Sequence, residues 1–250
     1  MKRKERHHLK ENALVQSVVA AREFLEPRWK QLAGLVIVIA VAGLVALGVM
    51  FLRSRSEARG EDLLADAMVA LNARVVPTTT PTAPGELPAA AELGATGSFA
   101  TEEAKLTAAL PKLKAAADAY PDSSAGIQAR YHYAGALASL GRHDEAVKAF
   151  EEVEMRAGAD SLYGRMAALG KADTQLRAGQ VDAAITTWKD LAAKKDGTLP
   201  EDAILMELGR AYQAKGDKDE ATKTYTQLVD QYPASPYAVE ARAALDTLKS

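Results

Sequence analysis

Three observations predict an all-α protein made of a single N-terminal transmembrane helix followed by an α-solenoid of about four helix pairs. The chain holds 51 alanines in 250 residues, and alanine is the best helix former, whereas β-branched and aromatic residues favour strands. Residues 32–52 form an unbroken apolar run, LAGLVIVIAVAGLVALGVMFL. Beyond residue 100 the chain becomes self-similar at a period of 37 to 38 residues, as stacked supersecondary units do.

The first element is a basic leader, residues 1–31. Residues 1–52 carry eight Lys/Arg against four Glu, leaving 23 basic and 29 acidic residues for the rest, so the two parts face different surroundings. Within the leader, Leu14, Val15, Val18, Val19 and Leu25 fall at helical spacing before Pro27, which predicts a short amphipathic helix. His7 and His8 sit in a polar basic tip without further candidate ligands and read as a solvated tail.

The apolar run at 32–52 comes next. At 1.5 Å per residue its 21 residues span roughly the 30 Å hydrocarbon core of a bilayer. It is longer than the apolar region of a cleaved signal peptide, which covers about 7–15 residues, and Arg53-Ser54-Arg55 follows at once, so it is expected to stay as an anchor. The excess of Lys/Arg before the run, with Trp29 at the expected interface, places the N-terminus in the cytoplasm and residues 53–250 outside. The expected location is thus a bacterial inner membrane, crossed once, with the C-terminal part periplasmic or otherwise extracytoplasmic. Ala42 and Ala46 form one small-xxx-small pair, open to reading either as a packing face or as ordinary membrane-helix composition.

Residues 53–75 read as a membrane-proximal helix with Leu63, Leu64, Met68 and Leu71 in phase, and residues 76–100 as a Pro/Thr/Ala-rich linker containing Pro77, Pro81, Pro84 and Pro88. The repeats occupy 101–250. Ala134, Gly141, Ala146 and Phe150 return 38 residues later as Ala172, Gly179, Ala184 and Trp188, and again as Gly209, Gly216, Ala221 and Tyr225. Each set describes a helix hairpin: a small residue where two helices approach, a glycine at the turn, and an Ala plus aromatic pair filling the contact. An upstream unit is visible in Ala109, Leu113, Ala116 and Pro121, with Pro111 expected to kink or restart its second helix and residues 56–75 able to supply its first. Residues 236–248 are expected to form a closing cap helix.

These residues resemble the tetratricopeptide repeat. The last full unit is the most similar, with Leu205, Leu208-Gly209, Tyr212, Ala221, Tyr225 and Pro233 at the family's spacing, while Arg130 and Ala168 depart from it at the first large-residue position. The resemblance implies a concave groove lined by the first helix of each unit. Its inward positions transfer to Gln128, Tyr131, Gly135 and Ala138, then Met166, Leu169, Asp173 and Leu176, then Ala203, Met206, Arg210 and Gln213. The partner-binding candidates among them are Gln128, Tyr131, Met166, Leu169, Asp173, Met206, Arg210 and Gln213. The Lys and Asn with which some family members clamp a C-terminal carboxylate are replaced here by Tyr131, Leu169 and Met206 and by Gly135, Asp173 and Arg210. Two readings stay open for the stripe: an adaptable apolar groove, or simple inter-repeat core.

Without cysteine the chain has no disulfide framework, zinc ribbon, Fe–S cluster, thiol nucleophile or lipidated cysteine. His132 and His143 are unaccompanied by any nucleophile–base order, metal spacing or glycine-rich phosphate loop, so no catalytic, cofactor or metal site is expected. His132 reads as a packed helix residue and His143 as an exposed turn residue. The acidic balance of the external part argues against nucleic acid. Taken together, the leader with Leu9-Lys10-Glu11, the anchor, the membrane-proximal helix and an array ending in YPASPYAVEAR resemble the membrane-anchored ancillary subunit of the Sec protein translocon. That resemblance implies protein partners: translocon subunits, a membrane-tethered periplasmic chaperone, or exported clients. The same layout would also serve a dedicated scaffold in cell division, respiratory-complex maturation or polysaccharide secretion.

Overall fold

The computed structural model describes residues 29–76, 97–194 and 197–249. The leader with its expected amphipathic helix, and most of the Pro/Thr/Ala-rich stretch, lie outside the described residues. Nine helices are described: α1 (Trp29–Leu71), α2 (Glu102–Ala119), α3 (Ser124–Ser139), α4 (His143–Ala157), α5 (Leu162–Arg177), α6 (Val181–Ala193), α7 (Glu201–Lys215), α8 (Lys218–Gln231) and α9 (Ala238–Lys249). The all-α class holds, with one small addition. Arg74–Val75 (β1) pairs in parallel with Ser98–Phe99 (β2), and Val76 N donates to Phe99 O at 2.8 Å, so the two ends of the proline-rich insertion are fastened together.

The chain divides into two compact units, residues 1–55 and 56–250. The first contains the apolar run. Its twelve large apolar side chains between Val36 and Leu52 are 45–71% exposed, and among the described residues it is the helix long and apolar enough to cross a membrane.

The second unit is the helical array. Ala67 and Ala70, at the end of α1, share a buried cluster with Leu106, Ala109, Leu110 and Leu113 of α2, so the segment expected to supply the first helix of the upstream unit packs there across the insertion, but as a helix only to Leu71 and not to Val75, because Arg74–Val75 join the strand pair. Gly60 lets α1 approach the start of α3 closely: a Cβ would stand 3.2 Å from Ala125 Cβ and Ser123 Oγ. The pairs α3/α4, α5/α6 and α7/α8 follow, and α9 closes the stack. Two buried clusters, a large one and a small one of Ala116, Ala117 and Ala129, serve the first half of the array, and a third, running from Ala172 through Trp188, Met206 and Tyr225 to Ala241, serves the second half. Each helix pair buries its apolar face against its neighbours.

The periodic residues do what their spacing predicts. Ala134, Ala172, Ala146, Ala184 and Ala221 are fully buried, as are Phe150, Trp188 and Tyr225. A Cβ on Gly209 would collide with the Tyr225 ring, so glycine there admits the aromatic of the second helix. Gly141, Gly179 and Gly216 have φ of +74°, +76° and +82°, the left-handed conformation that ends a helix with little strain only in glycine.

Of the two expectations for Pro111, the restart is not seen: α2 runs unbroken from Glu102 to Ala119 with Pro111 in its interior. Both Pro111 and Thr107, whose carbonyl loses its intrahelical donor, are exposed, so that carbonyl is open to solvent rather than buried without a partner.

A second periodic signature becomes apparent in the structure. Ser123 and Ser161 are N-caps accepting from Gly126 N and Gly164 N, each at 3.0 Å. A Cβ on either glycine would run into the backbone of the preceding turn, at Tyr120 O and Gly158 O. Ser-x-x-Gly therefore sets how each new first helix leaves its turn. Beside these caps, Asp122 accepts from Arg156 and Asp160 from Lys194, both at 2.7 Å, each bridging the same separation along the chain.

Candidate protein-binding groove

The first helices α3, α5 and α7 carry the residues singled out for the groove, and the structure distributes them among different roles. On α3, Gln128 and Tyr131 are half-buried. Gln128 Nε2 donates to Ser124 Oγ at 3.2 Å. Tyr131 meets Phe150 and Tyr163 edge-on, with ring centroids 5.9 and 6.0 Å apart, an arrangement aromatic quadrupoles favour. His132 packs against Tyr131, and burial pulls its imidazole below the usual histidine range.

His143 departs from its expected exposure. It opens α4, is half-buried, and its Nδ1 is enclosed without a hydrogen-bond partner. Arg130, at the departure from the repeat pattern, is 8% exposed. Its guanidinium bonds Asp118 at 2.8 Å, Ala117 O at 3.3 Å and Glu152, so its aliphatic stem takes the place of the expected large apolar side chain while its head joins α2, α3 and α4.

On α5, Met166, Leu169 and Asp173 are half-buried. Leu169 and Asp173 line a pocket of about 360 Å³ together with Gly170 and Arg177 of α5, Trp188 of α6, and Pro200, Ala203, Ile204 and Glu207 at the start of α7. This size lies toward the small end of ligand pockets. The floor is apolar and the charges come from Asp173, Arg177 and Glu207.

Met206 is a correction. It is 1% exposed and belongs to the core around Trp188, Tyr212 and Tyr225, so for this residue the inter-repeat reading holds. The stripe that α7 turns to the pocket is Ala203 and Glu207, four residues apart on one face, and Glu207 was missed. The available signal was a single carboxylate inside Ile204-Leu205-Met206-Glu207-Leu208.

Arg210 and Gln213 are engaged within the array. Arg210 bonds Glu207 at 2.6 Å and, on the cap helix, Glu240 at 2.5 Å. Gln213 accepts from the Tyr225 hydroxyl at 3.1 Å, and burial pushes that phenol up to about 12. Glu207 itself is pushed above the ordinary carboxylate range, first by burial, with Asp173 and Glu240 adding repulsion that Arg210 opposes. Groups of three or more side chains suited to hold a metal are absent among the described residues.

The tetratricopeptide-repeat family model matches residues 101–161 and 169–236, just over half of the chain. The chain belongs to the tetratricopeptide-repeat family, whose members are protein–protein interaction modules. A Podosopora anserina protein described as a kinesin light chain, built of nearly identical TPR-like repeats, is similar at 21% identity over 58% of this chain and 77% of its own, with a TM-score of 0.51. MamA (41-end) from Desulfovibrio magneticus RS-1 is similar at 21% identity over 58% and 74%, with a TM-score of 0.48. No curated protein matches the chain significantly.

Proposed function

We propose that this tetratricopeptide-repeat protein is a membrane-anchored interaction module of the bacterial cell envelope, an ancillary subunit of the Sec translocon that assists exported or envelope proteins on the periplasmic side. The observation that carries the reading is the apolar helix at the head of a repeat array. Twelve large side chains between Val36 and Leu52 are mostly exposed, and leaving them in water would cost on the order of 20 kcal/mol relative to burial. A bilayer removes that cost, and the basic leader sets the N-terminus inside. The array then stands beside the membrane, with Leu169, Asp173, Ala203 and Glu207 around an open pocket. The residues of the carboxylate clamp known in some relatives are missing, so the partner is held by other chemistry.

The chain has no cysteine, which makes single introduced thiols unambiguous reporters. Ser17→Cys is expected to resist a membrane-impermeant maleimide in intact spheroplasts, and Ala159→Cys to label at once. The full chain, extracted in gentle detergent, is expected to co-purify translocon subunits. Labelling of Ser17→Cys in intact spheroplasts would contradict the topology. Recovery of one fixed assembly factor without any translocon subunit would make the protein a dedicated envelope scaffold instead.

A further inference from the structure

The pocket between α5 and α7 carries more chemistry than a general apolar groove. Its floor is made by Leu169, Ala203, Ile204 and Trp188. Two carboxylates stand on its walls, Asp173 on α5 and Glu207 on α7, near enough to repel one another. Among the described residues each is paired from its own helix: Asp173 by Arg177 at 3.0 Å, four residues on, and Glu207 by Arg210 at 2.6 Å, three residues on. The Asp173–Arg177 pair is largely exposed, and such i,i+4 pairs hold weakly. Arg210 is shared with Glu240, so Asp173, Glu207 and Glu240 face two guanidinium groups and keep one negative charge in excess. Trp188, 3% exposed, lines the same pocket, and its indole N–H has no acceptor among the described residues.

We propose that this pocket takes a lysine or arginine side chain from an extended segment of a partner polypeptide, the stem lying on Leu169, Ala203 and Ile204 and the cationic head between Asp173 and Glu207. An apolar floor with an acidic rim matches a side chain that is itself apolar along its length and charged at its tip. Trp188 lines the same pocket, and its ring adds to the attraction for a cation. A bound cation also relieves the repulsion between the two carboxylates and ties successive repeats together. The polarity is opposite to that of a clamp for a C-terminal carboxylate.

The inference rests on the groove being a partner-binding surface, and the test separates the two. Full-length protein in detergent micelles is titrated with fluorescein-labelled octapeptides centred on Leu-Lys-Leu, Leu-norleucine-Leu or Leu-Glu-Leu. The lysine peptide is expected to bind saturably, the norleucine peptide about tenfold more weakly, and the glutamate peptide weaker still. Asp173→Asn with Glu207→Gln is expected to abolish the preference for lysine while helicity stays unchanged. Raising salt is expected to narrow the gap between the lysine and norleucine peptides. Equal affinity for lysine and norleucine, a preference that survives the double variant, or no saturable binding of the lysine peptide would each overturn the proposal. A photo-crosslinker at Ala203 in native membranes then tells the two failures apart: partner adducts there leave the interaction reading standing without the cation, and their absence removes both.

Discussion

Gly209 and Gly135 both lie inside first helices, yet the array treats them differently. A Cβ at Gly135 meets nothing within 4 Å, whereas one at Gly209 would strike the Tyr225 ring. Gly135→Ala is therefore expected to stabilise the array by about 0.5–1 kcal/mol through helix propensity, and Gly209→Ala to destabilise it by about 1–3 kcal/mol through overpacking, both read from thermal unfolding followed by circular dichroism. Arg130 gives a parallel contrast. Arg130→Ala removes a packed stem together with the bonds to Asp118, Glu152 and Ala117 O, and is expected to cost about 1–3 kcal/mol. Arg130→Leu restores the large apolar residue that the repeat pattern places there, and its cost is expected to be well below that of alanine. Glu207 supplies the pH dependence. Its carboxyl titrates above its ordinary value of 4.5, so the folded state holds the proton more tightly than the unfolded chain does. Its contribution to stability consequently falls as pH rises from the unfolded value through the folded one. Glu207→Gln is expected to match the parent below pH 4 and to exceed it at pH 7, and an unchanged difference across that range would contradict the assignment.

At the scale of elements, α2 offers the sharpest expectation. It carries Pro111 in its interior without interruption, so Pro111→Ala restores a backbone bond at an exposed position. A gain of about 1–3 kcal/mol is expected, with an unchanged fold. Most of the array was legible in the sequence because its packing is periodic: Ala134, Ala172 and Gly209 mark helix approaches, and Gly141, Gly179 and Gly216 mark turns, all of which depend on residue size or φ alone. The caps Ser123 and Ser161 repeat just as regularly, but their role depends on Gly126 and Gly164 yielding space to the preceding turn, a backbone proximity visible only in three dimensions. The groove was legible to a helix face and no further. Leu169, Asp173 and Ala203 do meet in one pocket, whereas Met206 turned inward, because the exact rotation of α7 against Trp188 and Tyr225 decides between neighbouring residues and no sequence period resolves a single step of 100°. The β1–β2 clasp, only two residues on each side, is too short for any pattern to announce.

For the whole molecule, the proposed anchoring of the apolar helix would confine the array's binding surface near a membrane, where even a modest affinity is raised by effective concentration. Removing residues 1–55 is expected to leave the array helical, since unit 56–250 has its own core, while abolishing membrane association measured by flotation. The most direct test of the proposed role is site-specific photo-crosslinking in native membranes from Leu169, on the wall of the pocket, with Glu151, an exposed residue of the second-helix layer, as the control position. Adducts with translocon subunits, a tethered chaperone or several exported polypeptides, formed from Leu169 and not from Glu151, are the expected result. Identical adducts from both positions, or none from Leu169, would contradict a groove that works on polypeptides at the membrane.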